Sequence, residues 1–169
     1  TPLLQPQQIS ASTFQKCPRE LPKLIERMLP DLPSYINRVR TRAGITKSYV
    51  ILAAKPEFEP LPLGPIPALT VPQTTQQVFF TTLMRRYDRD RITYLQEYHW
   101  VFLTQPPQDW RLAMMYSTLG SYPGDQKPTL PPRNSSDGSV AQALQDWLAD
   151  CQAGLLTTPP TLRKLRLFR

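Results

Sequence analysis

The sequence predicts an α+β fold, in which N-terminal and C-terminal helices pack on one face of a four-stranded antiparallel sheet built as a meander. Three observations lead there. Apolar residues fall at helical spacing near both ends of the chain, while its middle alternates apolar and polar residues at strand period between turn-forming sequences. A length of 169 residues suits one domain rather than two. Finally, 20 prolines against 6 glycines require short elements and extended or sharply turned connections, which excludes collagen, coiled coil and long helical bundle. The 40% apolar content is too high for a wholly disordered chain, and no uncharged apolar run of about 18 residues is present to span a bilayer.

Residues 1–15 are Gln- and Pro-rich without a period and read as a flexible arm ahead of a single domain over 16–155. Leu21, Leu24, Ile25 and Met28 lie at helical spacing, with Pro22 acceptable only in a first turn, so a short helix is expected over 20–29. Asp31-Leu32-Pro33 restarts the pattern. Leu32, Ile36 and Val39 mark its inner face, Arg38, Arg40 and Arg42 stay mainly outside, and Gly44 stops it. Ser48 to Ala54 is a continuous apolar run short enough for a buried strand. The stretch 56–72 contains Pro56, Pro60, Pro62, Pro65, Pro67 and Pro72; it can be neither helix nor central strand and reads as a polyproline-like arm.

Gln77–Tyr87, Arg91–Thr104 and Trp110–Leu119 then read as three strands, joined by Asp88-Arg89-Asp90 and by a Pro106-Pro107 turn. Alternation along the long strand groups Ile92, Tyr94, Tyr98, Trp100 and Phe102 against Leu95, Glu97, His99, Val101 and Leu103. The following strand is expected to share one face among Trp110, Leu112, Met114 and Tyr116. One side of the sheet is thus aromatic and the other mixed, with the aromatic side expected beneath the helices. Tyr122–Ser136 is a polar loop. Asp137-Gly138-Ser139 opens the clearest helix, striped by Val140, Ala141, Leu144, Trp147, Leu148 and Cys151 and stopped at Gly154.

The formal net charge of +7 permits attraction to nucleic acid, anionic lipid or an acidic protein face. Arg163, Lys164, Arg166 and Arg169 hold four of those charges in a basic tail over 156–169, which reads as a frayed terminus or as a contact for an acidic surface. The opening Thr1-Pro2 in place of Met fits a mature protein after removal of a signal segment, and a cut boundary would look the same. Cys17 precedes the first helix and Cys151 ends the last, so a disulfide between them would staple both ends of the domain in an oxidising compartment.

Chemistry-bearing constellations are few. His99 and Glu97 lie two residues apart on one strand face and could act as a base and its orienter, the plainer reading being a structural histidine. Glu57 with Glu59, and Asp88 with Asp90, are carboxylate pairs; the second sits among Arg85, Arg86, Arg89 and Arg91 and reads as a charge-balanced hairpin. Those arginines could grip phosphate, but the interspersed acids blunt their field and nucleic acid is not expected as a partner. No nucleophile elbow, zinc helix, phosphate loop or dinucleotide glycine pattern occurs, and neither a cofactor nor a metal is expected.

Phe14-Gln15-Lys16-Cys17-Pro18, Asp31-Leu32-Pro33-Ser34-Tyr35, Pro56-Glu57-Phe58-Glu59-Pro60-Leu61-Pro62-Leu63, Val78-Phe79-Phe80-Thr81-Thr82-Leu83 and Pro131-Pro132-Arg133-Asn134-Ser135-Ser136-Asp137-Gly138 together resemble uncharacterised exported proteins of cyanobacteria over about residues 14–154. The resemblance implies a location in the periplasm or thylakoid lumen and supplies no activity, cofactor or catalytic residue. The expectation is therefore a non-enzymatic extracytoplasmic interaction or assembly module, monomeric in isolation, with an unidentified protein partner for which a membrane-associated one is a candidate. Phe58, Leu61, Leu63, Arg85, Arg86 and Arg89 are its candidate contacts. Two alternatives stand beside it: a carrier of a small apolar ligand, with Tyr94, Tyr98, Trp100 and Trp110 lining a cavity under the helices, and a hydrolase centred on His99 and Glu97.

Overall fold

The structure is a computed structural model that describes residues 16–59, 75–105, 109–121 and 131–156. The N-terminal arm, the basic tail beyond Leu156, the Pro106-Pro107 turn and, in the proline-rich stretch, Leu61 and Leu63 lie outside the described residues.

Two helices come first, α1 (Leu21–Met28) and α2 (Leu32–Arg42), followed by β1 (Ser48–Glu57), β2 (Thr75–Asp88), β3 (Arg91–Thr104), β4 (Arg111–Ser121), β5 (Arg133–Asn134) and α3 (Ser139–Gln152). The strands form one antiparallel sheet in the order β1-β2-β3-β4-β5. The sheet therefore has five strands, not four. Its extra strand is the two residues Arg133 and Asn134 pairing with Ser117 and Tyr116, too short to leave any alternation in the sequence. β1 also runs past Ala54 through Pro56 to Glu57. It can do so because it is an edge strand, where a missing N–H can face solvent. Register shifts between Val50 and Leu52 and between Ala54 and Glu57, with Lys55 at φ 59°, make this edge irregular and a poor template for another strand.

The helices form where their apolar stripes require. Leu21, Leu24, Ile25 and Met28 of α1, Leu32 and Ile36 of α2, and the six stripe residues of α3 are all buried. Pro22 and Pro33 occupy first turns, where a missing N–H costs nothing, and Gly44 (φ 81°) and Gly154 (φ 73°) turn the chain off α2 and α3. Asp31, at the N-cap of α2, makes no cap hydrogen bond; its carboxylate accepts instead from Trp147 Nε1 at 2.9 Å, linking α2 to α3 in the core.

The helices cover the opposite face of the sheet from the one expected. Val50, Ala53, Val78, Phe80, Val101 and Leu103 meet them, whereas Tyr98, Trp100 and Phe102 form a separate cluster with Phe79, Met114 and Tyr116. Small and β-branched strand residues leave room for the large helix side chains such as Trp147, so the mixed face is the one the helices fit. A second correction concerns β4. Phe102 pairs with Met114 but Leu103 pairs with Leu112, so Ala113 is an extra residue that reverses the strand's alternation. Trp110 and Leu112 therefore join the helix side, while Met114 and Tyr116 remain with the aromatic cluster.

Trp110 helps to close the domain. Its Nε1 donates to the Pro18 carbonyl at 2.8 Å, its backbone N–H donates to Gln152 Oε1, and its carbonyl accepts from Gln152 Nε2. Beside this junction Cys17 and Cys151 form a disulfide across a separation of 134 residues, with Cα atoms 5.2 Å apart. In the chain-entropy description such a bridge stabilises by ~4–5 kcal/mol. Cys17→Ser is expected to lower unfolding free energy by roughly 3–5 kcal/mol in urea titrations, and a reductant should produce a comparable loss in the parent protein and none in the variant.

Candidate functional site

The helix side of the sheet carries a buried polar ladder. Thr82, His99 and Ser117 lie across adjacent strands in the pairs Phe80–His99–Ser117 and Thr82–Glu97. His99 Nε2 is 2.9 Å from Thr82 Oγ1, His99 Nδ1 is 2.7 Å from Ser117 Oγ, and Ser117 Oγ is 2.7 Å from Ser135 Oγ. Since each hydroxyl both donates and accepts, the neutral imidazole is satisfied at both nitrogens in either tautomer. His99 is 0% exposed and its ring lies against Phe80. Burial pushes its pKa down to about 3. Glu97 shares this face; burial raises its pKa, opposed by the positive charges of Arg40 and Arg133.

Acyl transfer needs a hydroxyl within about 3 Å of an imidazole, and Ser117 meets that distance. The imidazole itself has no exposed surface through which to meet a substrate. The ladder is thus a set of satisfied core polar groups. Among the described residues no three His, Cys, Asp or Glu side chains gather as metal ligands.

The other face of the sheet carries no described helix. From one end to the other its cross-strand rows place Phe102 with Met114, Phe79 with Trp100 and Tyr116, Tyr98 with Thr81 and Thr118, Leu52 with Leu83, Tyr49 with Arg85 and Tyr94, and Tyr87 with Ile92. In the first half the rings pack on one another: Phe79 lies 5.3 Å from Trp100 and 6.1 Å from Tyr98 between ring centres. Trp100 is 5% exposed. Gly120 makes room for Tyr98, because a Cβ there would stand 3.0 Å from its ring. Two N–H donors in this half, Trp100 Nε1 and Gln77 Nε2, are buried without an acceptor. The second half is open, with Tyr49 41%, Leu52 51%, Tyr87 40% and Ile92 54% exposed.

The expected contact and cavity residues are dispersed by this geometry. Trp110 belongs to the helix-side core, and Tyr98 and Trp100 to the aromatic cluster. Tyr94 lies half-buried with the Arg85 guanidinium 5.6 Å from its ring centre. Arg86 pairs with Asp88 at 2.9 Å, and Arg89 sits at the hairpin tip with φ 47°. Phe58 is partly buried against the helix-side core. Sequence reasoning did not find Thr82 and Ser117 as partners of His99, nor Ser135 as the partner of Ser117, since only the pairing of distant segments brings them together. It also did not find a groove of about 750 Å³ between α2 and α3, lined by Tyr35, Arg38, Arg42, Asp146 and Asp150. Its charges are internally paired: Tyr35 Oη donates to Asp150 at 2.6 Å, Arg42 meets Asp146 at 3.5 Å and Arg38 stacks 4.2 Å over Tyr35. Burial and Asp150 push the Tyr35 pKa up to about 12.

Comparison with protein-family models, with curated proteins and with solved structures finds no match to this chain.

The two shifted groups of the ladder give opposite pH signatures. His99 folds neutral with a pKa of about 3 against an ordinary 6.5, so the unfolded chain binds more protons between those values and stability falls as pH drops through them, by up to about 1.4 kcal/mol per unit. Glu97 has a raised pKa, so its contribution to stability rises as pH falls from that raised value toward 4.5. Urea titrations across pH should show Glu97→Gln more stable than the parent at pH ~8 and equal to it near ~4. His99→Gln should lose roughly 1–3 kcal/mol at neutral pH and flatten the acid limb.

Proposed function

We propose that the protein is a non-enzymatic interaction module that works outside the cytoplasm and receives a protein partner on the helix-free face of its sheet. The observation that carries this reading is that face itself, rich in aromatic and aliphatic residues interspersed with Thr81, Thr118 and Arg85, on the side opposite all three described helices. Apolar side chains that stay within reach of solvent mark interaction sites in soluble domains, and Phe79, Met114 and Tyr116 of this face are half-buried. The irregular β1 edge disfavours strand addition, so the partner sits on the face rather than at the edge. The Cys17–Cys151 disulfide favours an oxidising compartment.

The competing readings have less support. A ligand carrier with a cavity beneath the helices requires the aromatic residues to line it together, and Tyr94, Tyr98 and Trp100 lie on the other side of the sheet while Trp110 is packed into the helix-side core. A hydrolase at His99 requires an accessible imidazole, and this one is sealed.

A photo-crosslinking amino acid at Tyr116, half-buried on the aromatic face, tests the proposal against the same group at exposed Arg38 on α2. In extracts of the organism that makes the protein, Tyr116 should yield a discrete crosslinked protein and Arg38 none. Equal products from both positions, or products from Arg38 alone, would overturn the assignment of the face.

A further inference from the structure

We infer that the open end of the helix-free face, at the β2–β3 hairpin, seats the protein on an anionic lipid surface. This goes beyond the partner face proposed above, since it uses the other half of the sheet. Tyr49, Leu52, Tyr87 and Ile92 are 40–54% exposed and lie in neighbouring cross-strand positions, with Ile51 of the β1 bulge a further 42% exposed beside them. Residues 85–94 contribute nothing to the helix-side core, so their retention of large apolar side chains serves no packing against the helices.

Cations gather at this end of the sheet. Lys47, Arg85, Arg86, Arg89 and Arg91 outnumber Asp88 and Asp90 there, a local excess of +3; Arg85 shares the face of Tyr87 and Ile92, Arg86, Asp88 and Arg91 alternate to the other side of the hairpin, and Lys47 is held at this end because its carbonyl accepts from Tyr87 N–H at 2.8 Å. Asp88 is already paired with Arg86, which leaves Arg89 and Arg91 at the tip. Arg85 lies over Tyr94 and donates toward Tyr87 Oη at 3.5 Å, and a guanidinium is the side chain best suited to phosphate oxygens.

Apolar and tyrosine side chains projecting beside arginines match the requirements of a bilayer interface: shallow burial of apolar area, amphipathic rings at headgroup depth and attraction to anionic headgroups. An acidic protein would supply the charge, but an apolar anchor in a protein interface needs a pocket of matching shape, and these side chains stand out from a hairpin end. A lipid surface needs no such match.

Sedimentation of the full chain with phosphatidylcholine vesicles, with and without phosphatidylglycerol, tests the inference. Binding should be at least about tenfold stronger with phosphatidylglycerol and should weaken as salt rises. The double variant Tyr87→Ser, Ile92→Ser, which alters only exposed positions and keeps every charge, should lose about tenfold in binding while its circular dichroism and melting stay those of the parent. Arg89→Gln with Arg91→Gln should reduce the preference for phosphatidylglycerol. Arg163→Gln with Lys164→Gln in the tail should leave most of the binding intact. No phosphatidylglycerol-dependent sedimentation would overturn the inference, as would undiminished binding by the Tyr87→Ser, Ile92→Ser variant, which would assign the attraction to charge elsewhere. A crosslink from Tyr116 without any vesicle binding would assign the hairpin end to a protein partner and leave the proposed function standing.

Discussion

The single extra residue at Ala113 decides which side chains of β4 meet the helices, and the closure of the domain depends on it. By reversing the alternation between Leu112 and Met114 it turns Trp110 inward, where the indole bonds to Pro18 and the backbone to Gln152. Those bonds join the segment before α1 to the end of α3 beside the disulfide, so β4, the chain ahead of α1 and the C-terminal helix are tied at one corner. Without the bulge Trp110 would join the aromatic face and this junction would lose its central side chain. A bulge of this kind trades one regular ladder position for the correct placement of everything beyond it.

The second constraint is that three helices on one side leave the other face of the sheet without a described layer. In the near half of that face the rings pack on one another and are largely buried, with Phe79 between Tyr98 and Trp100 and Gly120 yielding space to Tyr98. The far half has no such cover, and its tyrosines and aliphatic residues meet water among arginines. On the helix side, the ladder of Thr82, His99, Ser117 and Ser135 adds specificity. A one-residue slip of β3 would carry His99 to the other face and leave buried hydroxyls unpaired, a cost that helps to fix the register of the central strands.

Much of the architecture was legible in the sequence because it rests on local periodicity. The α3 stripe from Val140 to Cys151, the first-turn prolines and the long strand from Arg91 to Thr104 follow from spacing alone, and all recur in the structure. What was not legible depends on contacts between strands. Ala113 looks like any other small residue in a strand, yet it reverses the face on which Trp110 lies. Arg133 and Asn134 form too short a strand to show a pattern. Large aromatic residues suggest a core, but the helices fit the smaller Val and Ala residues instead, so the two faces were exchanged. For the same reason His99 could be recognised as a candidate while its two hydroxyl partners, Thr82 and Ser117, could not.

The central claim is that the helices occupy one face of the sheet and the aromatic face is turned away from them, with its hairpin end open to solvent. Hydroxyl-radical footprinting of the isolated protein, read by mass spectrometry, measures this directly. The account predicts rapid oxidation of Tyr49, Leu52, Tyr87 and Ile92, slow oxidation of Trp100, and protection of Phe80, Met28 and Trp147. Protection of Tyr49, Tyr87 and Ile92 together with rapid labelling of Phe80 or Met28 would contradict it, because the helices would then lie on the face assigned here to solvent and partners.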